Sequence, residues 1–443
     1  MTDAAGPGDG RSLRDLALPL RNEADLDPLL ERVGDARHVL IGEASHGTHE
    51  YYAWRAALTR RLIEEKGFSF VAVEGDWPDC YAVNECVTGS PRAPDDPAEV
   101  LDRFDRWPTW MWANTDVLDF TRWLREHNQR RRDGRTVGFY GLDVYSLWDS
   151  LRQTLAYLQK HHPEHVESAQ RAFRCFEPYA EEPQDYAAST RYLPSGCEAE
   201  VVQLLAATRS AAASAEGPDA EARFNAQQNA RSAAGAEAYY RTMMRGGADS
   251  WNLRDRHMVQ TLDELMRHHG EGAKAVVWEH NTHVGDARWT DMADAGMVNV
   301  GQLVREKHPD DDVVLVGFGS YEGSVIASDR WGGEVREMPV PAARPASVEE
   351  LLHDELEDGA LDGRDAALFV FEGERPDWAA QVRDHRAIGV VYHPEVEHLG
   401  NYVPSVLGSR YDAFLWFDTT RALTPLHAVE SRRGEPEAWP TGF

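Results

Sequence analysis

HVLIGEASHG, residues 38–47, passes from a continuous apolar run into a polar turn that carries Glu43, Ser45 and His46 between Gly42 and Gly47. The run does not alternate, so it predicts a strand buried on both faces, as in a parallel sheet. Four more runs of the same kind follow: FSFVAVE at 68–74, TVGFYGL at 136–142, AKAVVW at 273–278 and VVLVGF at 313–318. Helical patterns separate them. After the first, Tyr51, Trp54, Leu58 and Leu62 recur at spacings of three and four, an amphipathic stripe. Strands alternating with helices predict an α/β class: a mostly parallel sheet flanked by helices.

The middle breaks the alternation. Residues 146–265 show helical segments and no strand pattern, with Gly217-Pro218 as an internal breaker. This block predicts a helical insertion between a first core part at 13–145 and a second at 266–330. Residues 331–443 predict a smaller C-terminal α+β portion that closes the core. There β character returns at 367–371, 387–392 and 413–417, after a linker-like Gly332-Gly333 and a Pro-rich stretch at 338–345.

The 443 residues carry 46 Lys and Arg against 75 Asp and Glu, a net charge of −29. Such a surface repels phosphate backbones and anionic membranes, so neither nucleic acid nor membrane is an expected partner. The amino-terminal stretch lacks a basic start followed by a long apolar run, and no segment reaches the length of a membrane span. The four cysteines, at 80, 86, 175 and 197, form no CxxC pair. The expectation is a cytoplasmic protein without structural disulfides, of unassigned oligomeric state. With no GxGxxG and no GxxxxGK[ST], no bound cofactor is expected.

In a parallel α/β sheet, ligands bind beyond the carboxyl ends of the strands. The first run ends in Glu43 and His46, the second in Glu74, Asp76 and Trp77, the third in Asp143 and Tyr145, the fourth in Glu279, His280, Asn281 and His283. Four strand ends thus offer carboxylates, three histidines and an amide to one rim. Glu43 lies three residues before His46, a spacing that lets a carboxylate fix the imidazole tautomer and raise its basicity. Arg55, two turns into the following helix, is long enough to reach the rim and bind a carboxylate or developing negative charge. Each residue also has an ordinary reading: a histidine packing at a helix start, a structural hydrogen bond, an exposed ion pair. The ligand types His46, His280, His283, Glu43 and Glu74 would suit zinc, with Asp76 or Asp79 joining, although no HExxH motif is present. GEASHG also lacks the GxSxG elbow that would make Ser45 a standard nucleophile.

GEASHGTHEYYAWR, AVEGDWPDCYAVN, GFYGLDVYSLWDSL, SWNLRDRHM and VVWEHNTHVGDAR, in this order, resemble the erythromycin esterase family. The likeness is strongest to its branch of erythromycin esterase-like or succinoglycan-biosynthesis-related proteins, and runs from about residue 13 to the closing YDAFLWFDTTRALTPL. The resemblance implies an α/β core with a helical insertion and a small α+β portion, and the hydrolysis of a macrolactone. His46 falls on the histidine that acts in the family as general base on a water. Glu43, Arg55, Glu74 and His283 fall on positions of the active-site set, and His280 belongs to the same segment. Glu43 or Glu74 would then orient the imidazole and the water, and Arg55 with His283 would stabilise the oxyanion. Asp76, Trp77, Asp143, His280 and Asn281 are assigned to substrate binding. An ester or macrolactone, or a related carbonyl bond in a natural product or modified peptide, is the expected substrate. A metal-dependent hydrolase on the same rim and a non-hydrolytic biosynthetic or ligand-binding protein of a natural-product or exopolysaccharide pathway are the alternatives.

Overall fold

The computed structural model describes residues 12–179, 183–190, 196–214, 220–243, 247–356 and 366–427. Its strands are β1 (Leu18–Pro19), β2 (His38–Ile41), β3 (Phe70–Asp76), β4 (Gly138–Asp143), β5 (Ala275–Trp278), β6 (Val313–Ser328), β7 (Val335–Val340), β8 (Ala366–Val370), β9 (Val382–Arg386), β10 (Tyr402–Val406) and β11 (Ala413–Thr420). The main sheet runs β1-β8-β11-β6-β2-β5-β3-β4, with β7 paired to β6. From β11 to β4 all neighbours are parallel; β1, β7 and β8 pair antiparallel. A small antiparallel sheet of β9 and β10 lies near the carboxyl end. The α/β class read from the sequence holds.

The five apolar runs are five adjacent strands, β6-β2-β5-β3-β4. Every residue of β2, β3, β4 and β5 is buried, because helices cover both faces. One face packs under His49–Lys66 and Thr115–Arg130. The other packs under Ala248–His269 and Val300–Lys307. The helices from Leu147–His161 to Ala248–His269 lie between β4 and β5 in the chain. Several of them enclose a separate apolar cluster around Leu151, Leu158, Ala172, Leu204 and Tyr240.

Three expectations need correction. Part of the linker-like stretch belongs to β7, which uses Met338 and Val340 to cover apolar residues of β6. Residues 387–392 form no named strand: Ile388 and Val391 make isolated bridges to Ser45 and Ser328, and the strand precedes them as β9. Cys175 and Cys197 form a disulfide, with Cα atoms 5.9 Å apart. The pairing has no local signature because helix packing, and not a CxxC spacing, brings the two together. Closing a loop over a separation of 22 residues is worth about 3 kcal/mol through the unfolded chain's entropy.

Candidate active site

The carboxyl ends of β2, β5, β3 and β4 are neighbours, so the polar residues after four separate runs meet on one rim. Beyond β2 the chain turns sharply. A Cβ on Gly42 would fall 2.1 Å from Asn281 Oδ1, and one on Gly47 would fall 2.0 Å from the Ile326 carbonyl. These glycines therefore admit neighbouring protein groups. The Gly47 carbonyl accepts from the Ile326 and Leu423 amides, at 3.0 and 2.9 Å, so the backbone there has no slack. Gly47→Ala is expected to cost about 1–3 kcal/mol by overpacking, read as a lower denaturant midpoint; an unchanged midpoint would contradict this account of the turn.

That turn presents a chain of three side chains. His46 Nδ1 and Glu43 Oε1 are 2.9 Å apart. Glu43 Oε2 lies 3.1 Å from an Arg55 guanidinium nitrogen. Arg55 is fully buried, with its guanidinium carbon 4.2 Å from the Tyr52 ring centre and 4.9 Å from that of Trp278. Arg55 thus forms an ion pair with Glu43 from within the core, without a hydrogen bond between them, where the sequence had it reaching toward a ligand. A Glu43 carboxylate accepting from Nδ1–H leaves Nε2 as the basic nitrogen of His46.

The His280 ring centre lies 4.9 Å from that of His46. The Thr282 amide donates to His280 Nδ1 at 3.3 Å, and the Thr282 hydroxyl lies 2.8 Å from the same atom. The His280 proton therefore sits on Nε2, which is buried and makes no hydrogen bond. The Ala44 carbonyl lies near the ring and already accepts from the Ile388 amide at 2.8 Å. Burial, then the charge of His46, holds the His280 pKa well below its usual value, so the ring is a neutral donor.

A second group surrounds Arg254, a residue that was visible in SWNLRDRHM but carried no role. Its guanidinium donates to Glu74 at 2.8 Å and to both Asp143 oxygens at 2.9 and 2.8 Å, and lies 3.1 Å from His283 Nε2. Glu74 also accepts from the His280 amide at 2.7 Å. A register shift between β3 and β4 at Val73–Asp76 sets the stretch that holds Glu74 apart from the regular ladder. Burial would raise the Glu74 pKa, but the His283 and Arg254 charges hold it well below the carboxylate range. His283 Nδ1 is 2.9 Å from Asp255, and its ring stacks on Trp251 at 4.4 Å. Burial lowers its pKa, and Asp255 and Glu74 more than offset that. Both ring nitrogens face protein groups, so His283 braces Arg254 and Glu74. Glu279 is fully buried, neither oxygen has a partner, and burial raises its pKa well above normal. It is a neutral acid beside the rim, undetectable as such without knowing its surroundings.

Two residues assigned to substrate binding lie elsewhere. Trp77 stacks with Tyr81 and Tyr140 and donates to Asn225, inside the aromatic core. As the first residue of its helix it turns to the other face from Asp76. Asn281 spends its amide within the protein: Nδ2 donates to the Phe318 carbonyl at 2.7 Å and lies 3.2 Å from His385 Nε2, and Oδ1 accepts from the Phe318 amide at 3.3 Å. Asp76 and Asp143 do line the cavity, together with Glu74, Asp79, Tyr145 and Arg254. Phe104, Arg106, Pro108, Met111, Trp112 and Trp331 complete the wall. Arg106 pairs with Asp76 and sits 5.0 Å from the Tyr145 ring centre, as does Arg254. This cavity holds about 40 Å³, and its lining does not include His46, Glu43 or His280; His46 is only 3% exposed.

Asp79 is pushed up to about 8, by burial first and then by Asp76. Its unfolded value is about 3.9. Between the two the folded state holds the extra proton, so stability falls as pH rises through that window. Asp79→Asn is expected to melt higher than the parent at about pH 8 and alongside it at about pH 4; equal melting at both would contradict this burial.

Among the rim's possible metal ligands, Glu74 is engaged by Arg254 and His283 by Asp255. Among the described residues, three donor groups converge elsewhere, at His38, His308 and Asp312, at the opposite end of β2.

The sequence model of the family described as Erythromycin esterase matches residues 63–420. Erythromycin esterase type II of Escherichia coli is 29% identical over 126 residues, 28% of this chain and 28% of that protein. The aligned segment thus spans well under a third of the curated relative. Three solved structures share the fold. A Bacillus cereus protein has a TM-score of 0.77 at 20% identity, and a succinoglycan biosynthesis protein 0.74 at 19%, each match covering 94% of this chain and 97% of the other. An erythromycin esterase mutant, EreC in its open conformation, has 0.66 at 17%, covering 90% and 95%. No helix among the described residues is long and apolar enough to cross a membrane.

Proposed function

We propose, from the premise that this chain belongs to the erythromycin esterase family, that it is a hydrolase in which His46 activates a water against an ester or lactone carbonyl. Membership supports the hydrolase. The observation that carries it is the chain His46–Glu43–Arg55, with 2.9 Å and 3.1 Å contacts in a fully buried setting. It is the arrangement that fixes an imidazole tautomer and supports its positive charge.

In this mechanism His46 Nε2 takes a proton from water as the oxygen bonds to the carbonyl carbon. Glu43 offsets the imidazolium charge, and Arg55 pairs with Glu43 from within the core. The carbonyl π-electrons move to oxygen, and in this reading His280 Nε2–H donates to that oxyanion. Collapse of the intermediate breaks the carbon–oxygen bond to the leaving alkoxide, which takes the proton from His46. No covalent enzyme intermediate is required.

A cavity of about 40 Å³ is small beside the roughly 300–1,000 Å³ of a typical ligand pocket. Substrate entry therefore requires the wall at Phe104–Trp112 and Trp331 to part from Asp76 and Tyr145, and the buried His46 to open onto the same space. The apolar, aromatic character of that wall suits a large lactone ring, and macrolactones including erythromycin head the candidates. A panel of macrolactones, simple esters and esterified peptides, followed by mass spectrometry, tests the reading. At least one is expected to gain the mass of a single water; an unreacted panel with folded protein would sink it.

A further inference from the structure

His38 opens β2 at the amino-terminal edge of the sheet, and is 1% exposed with no hydrogen-bond partner for Nδ1. A buried imidazole nitrogen left so is unusual unless something else meets it. Three features surround it. His308, just past the helix Val300–Lys307, places its ring centre 4.2 Å from that of His38. Asp312, immediately before β6, directs Oδ2 between the two rings, 3.8 Å from His38 Nδ1 and 3.9 Å from His308 Nδ1. The donor atoms of the three residues all lie within 4.8 Å of one another. None of these separations is a hydrogen bond.

We infer that His38, His308 and Asp312 form a binding site for a zinc-like divalent cation. Two imidazoles and one carboxylate are a borderline-soft donor set that suits zinc above magnesium or calcium, with a water in the fourth position. Bonds of about 2.0–2.1 Å in tetrahedral geometry place ligand atoms roughly 3.4 Å apart, so the two carboxylate–imidazole separations must close by about half an ångström and the two imidazoles by up to about 1.4 Å. His308 has the freedom to do so, because its side chain is 28% exposed and it ends a helix. The backbone already fixes Asp312: its Oδ1 accepts from the Arg37 amide at 3.2 Å. The neighbouring cations are engaged elsewhere, Lys307 with Asp263 at 2.7 Å and Arg37 Nε with the Ala273 carbonyl at 3.1 Å. Burial keeps His38 neutral, the form that ligates.

The cation would join the starts of two adjacent core strands, β2 and β6, to the end of a covering helix. From His38 to Glu43 is on the order of 15 Å of extended chain, so the site is structural and separate from the rim. It stands or falls independently of the hydrolase reading.

The test is zinc chloride titrated into chelator-stripped, dialysed full-length protein, by calorimetry and by melting. One equivalent is expected, with a concentration-dependent rise in melting temperature. His308→Ala and Asp312→Asn should each weaken binding by about a hundredfold, since even outer partners of a metal site cost roughly 10–100-fold. His46→Ala should bind zinc like the parent. Absence of binding, or equal binding in His308→Ala and Asp312→Asn, overturns the assignment; binding lost only in His46→Ala would move the cation to the rim and overturn it equally.

Discussion

Arg254→Met is expected to lose about 3–5 kcal/mol of stability, the usual consequence of removing one partner from a buried ion cluster. Arg254 is the cation between Glu74 and Asp143, each bonded at 2.8 Å, with Asp255 nearby through His283. Burial alone would raise the pKa of both Glu74 and Asp143; the arginine charge is a main reason both lie below normal. Without it the carboxylates face each other in a low-dielectric interior. They would recover by taking up protons, which sets the sign of the pH dependence. A depressed carboxylate stabilises the fold above its unfolded pKa and ceases to as pH falls through the folded value. The deficit of the variant is therefore greatest near neutrality and shrinks toward about pH 4. Arg254→Lys is not expected to restore it, because one ammonium cannot reproduce the fork that meets two carboxylates. Denaturant unfolding at both pH values checks this; a small deficit without pH dependence would show that Arg254 is not the cluster's counter-ion.

His46→Ala is expected to lower turnover by about 10²–10⁴-fold, the range for removing a general base, while the protein stays folded. The loss should fall on kcat more than on KM, since the base acts on water in the transition state. A small void is left in a buried turn, where the His46 ring lies beside Glu43 and His280. The Glu43 carboxylate then keeps Arg55 as its partner, so no isolated buried charge is created. Full turnover by the variant would remove His46 from the chemistry.

The sheet was legible because strands buried on both faces write continuous apolar runs, and the five runs became five adjacent strands. β7 escaped notice because Pro339 and Pro341 read as turn residues, although β7 is paired on one side only, to β6, where proline is tolerated. On the rim, Glu43 and His46 were readable because three residues in one turn place them in contact. The likeness to the erythromycin esterase family singled out the same positions. Arg254 was not readable from spacing. It comes from the middle of the helix Ala248–His269, and its partners lie 111 and 180 residues away. The disulfide and the His38 cluster share that cause: tertiary packing joins residues whose local sequence is unremarkable. Trp77 and Asn281 err in the opposite direction, since a polar or aromatic residue at a strand end can turn back into the protein.

The central claim, that His46 is the base for water, is tested most directly by adding imidazole to His46→Ala during turnover of a substrate found in the panel. Removing the ring leaves a polar gap beside Glu43 that a free imidazole can fill. The account predicts a saturable recovery of rate in the variant and none in the parent. A folded, substrate-binding His46→Ala whose rate matches the parent, or whose lost rate does not respond to imidazole at any concentration, would contradict it.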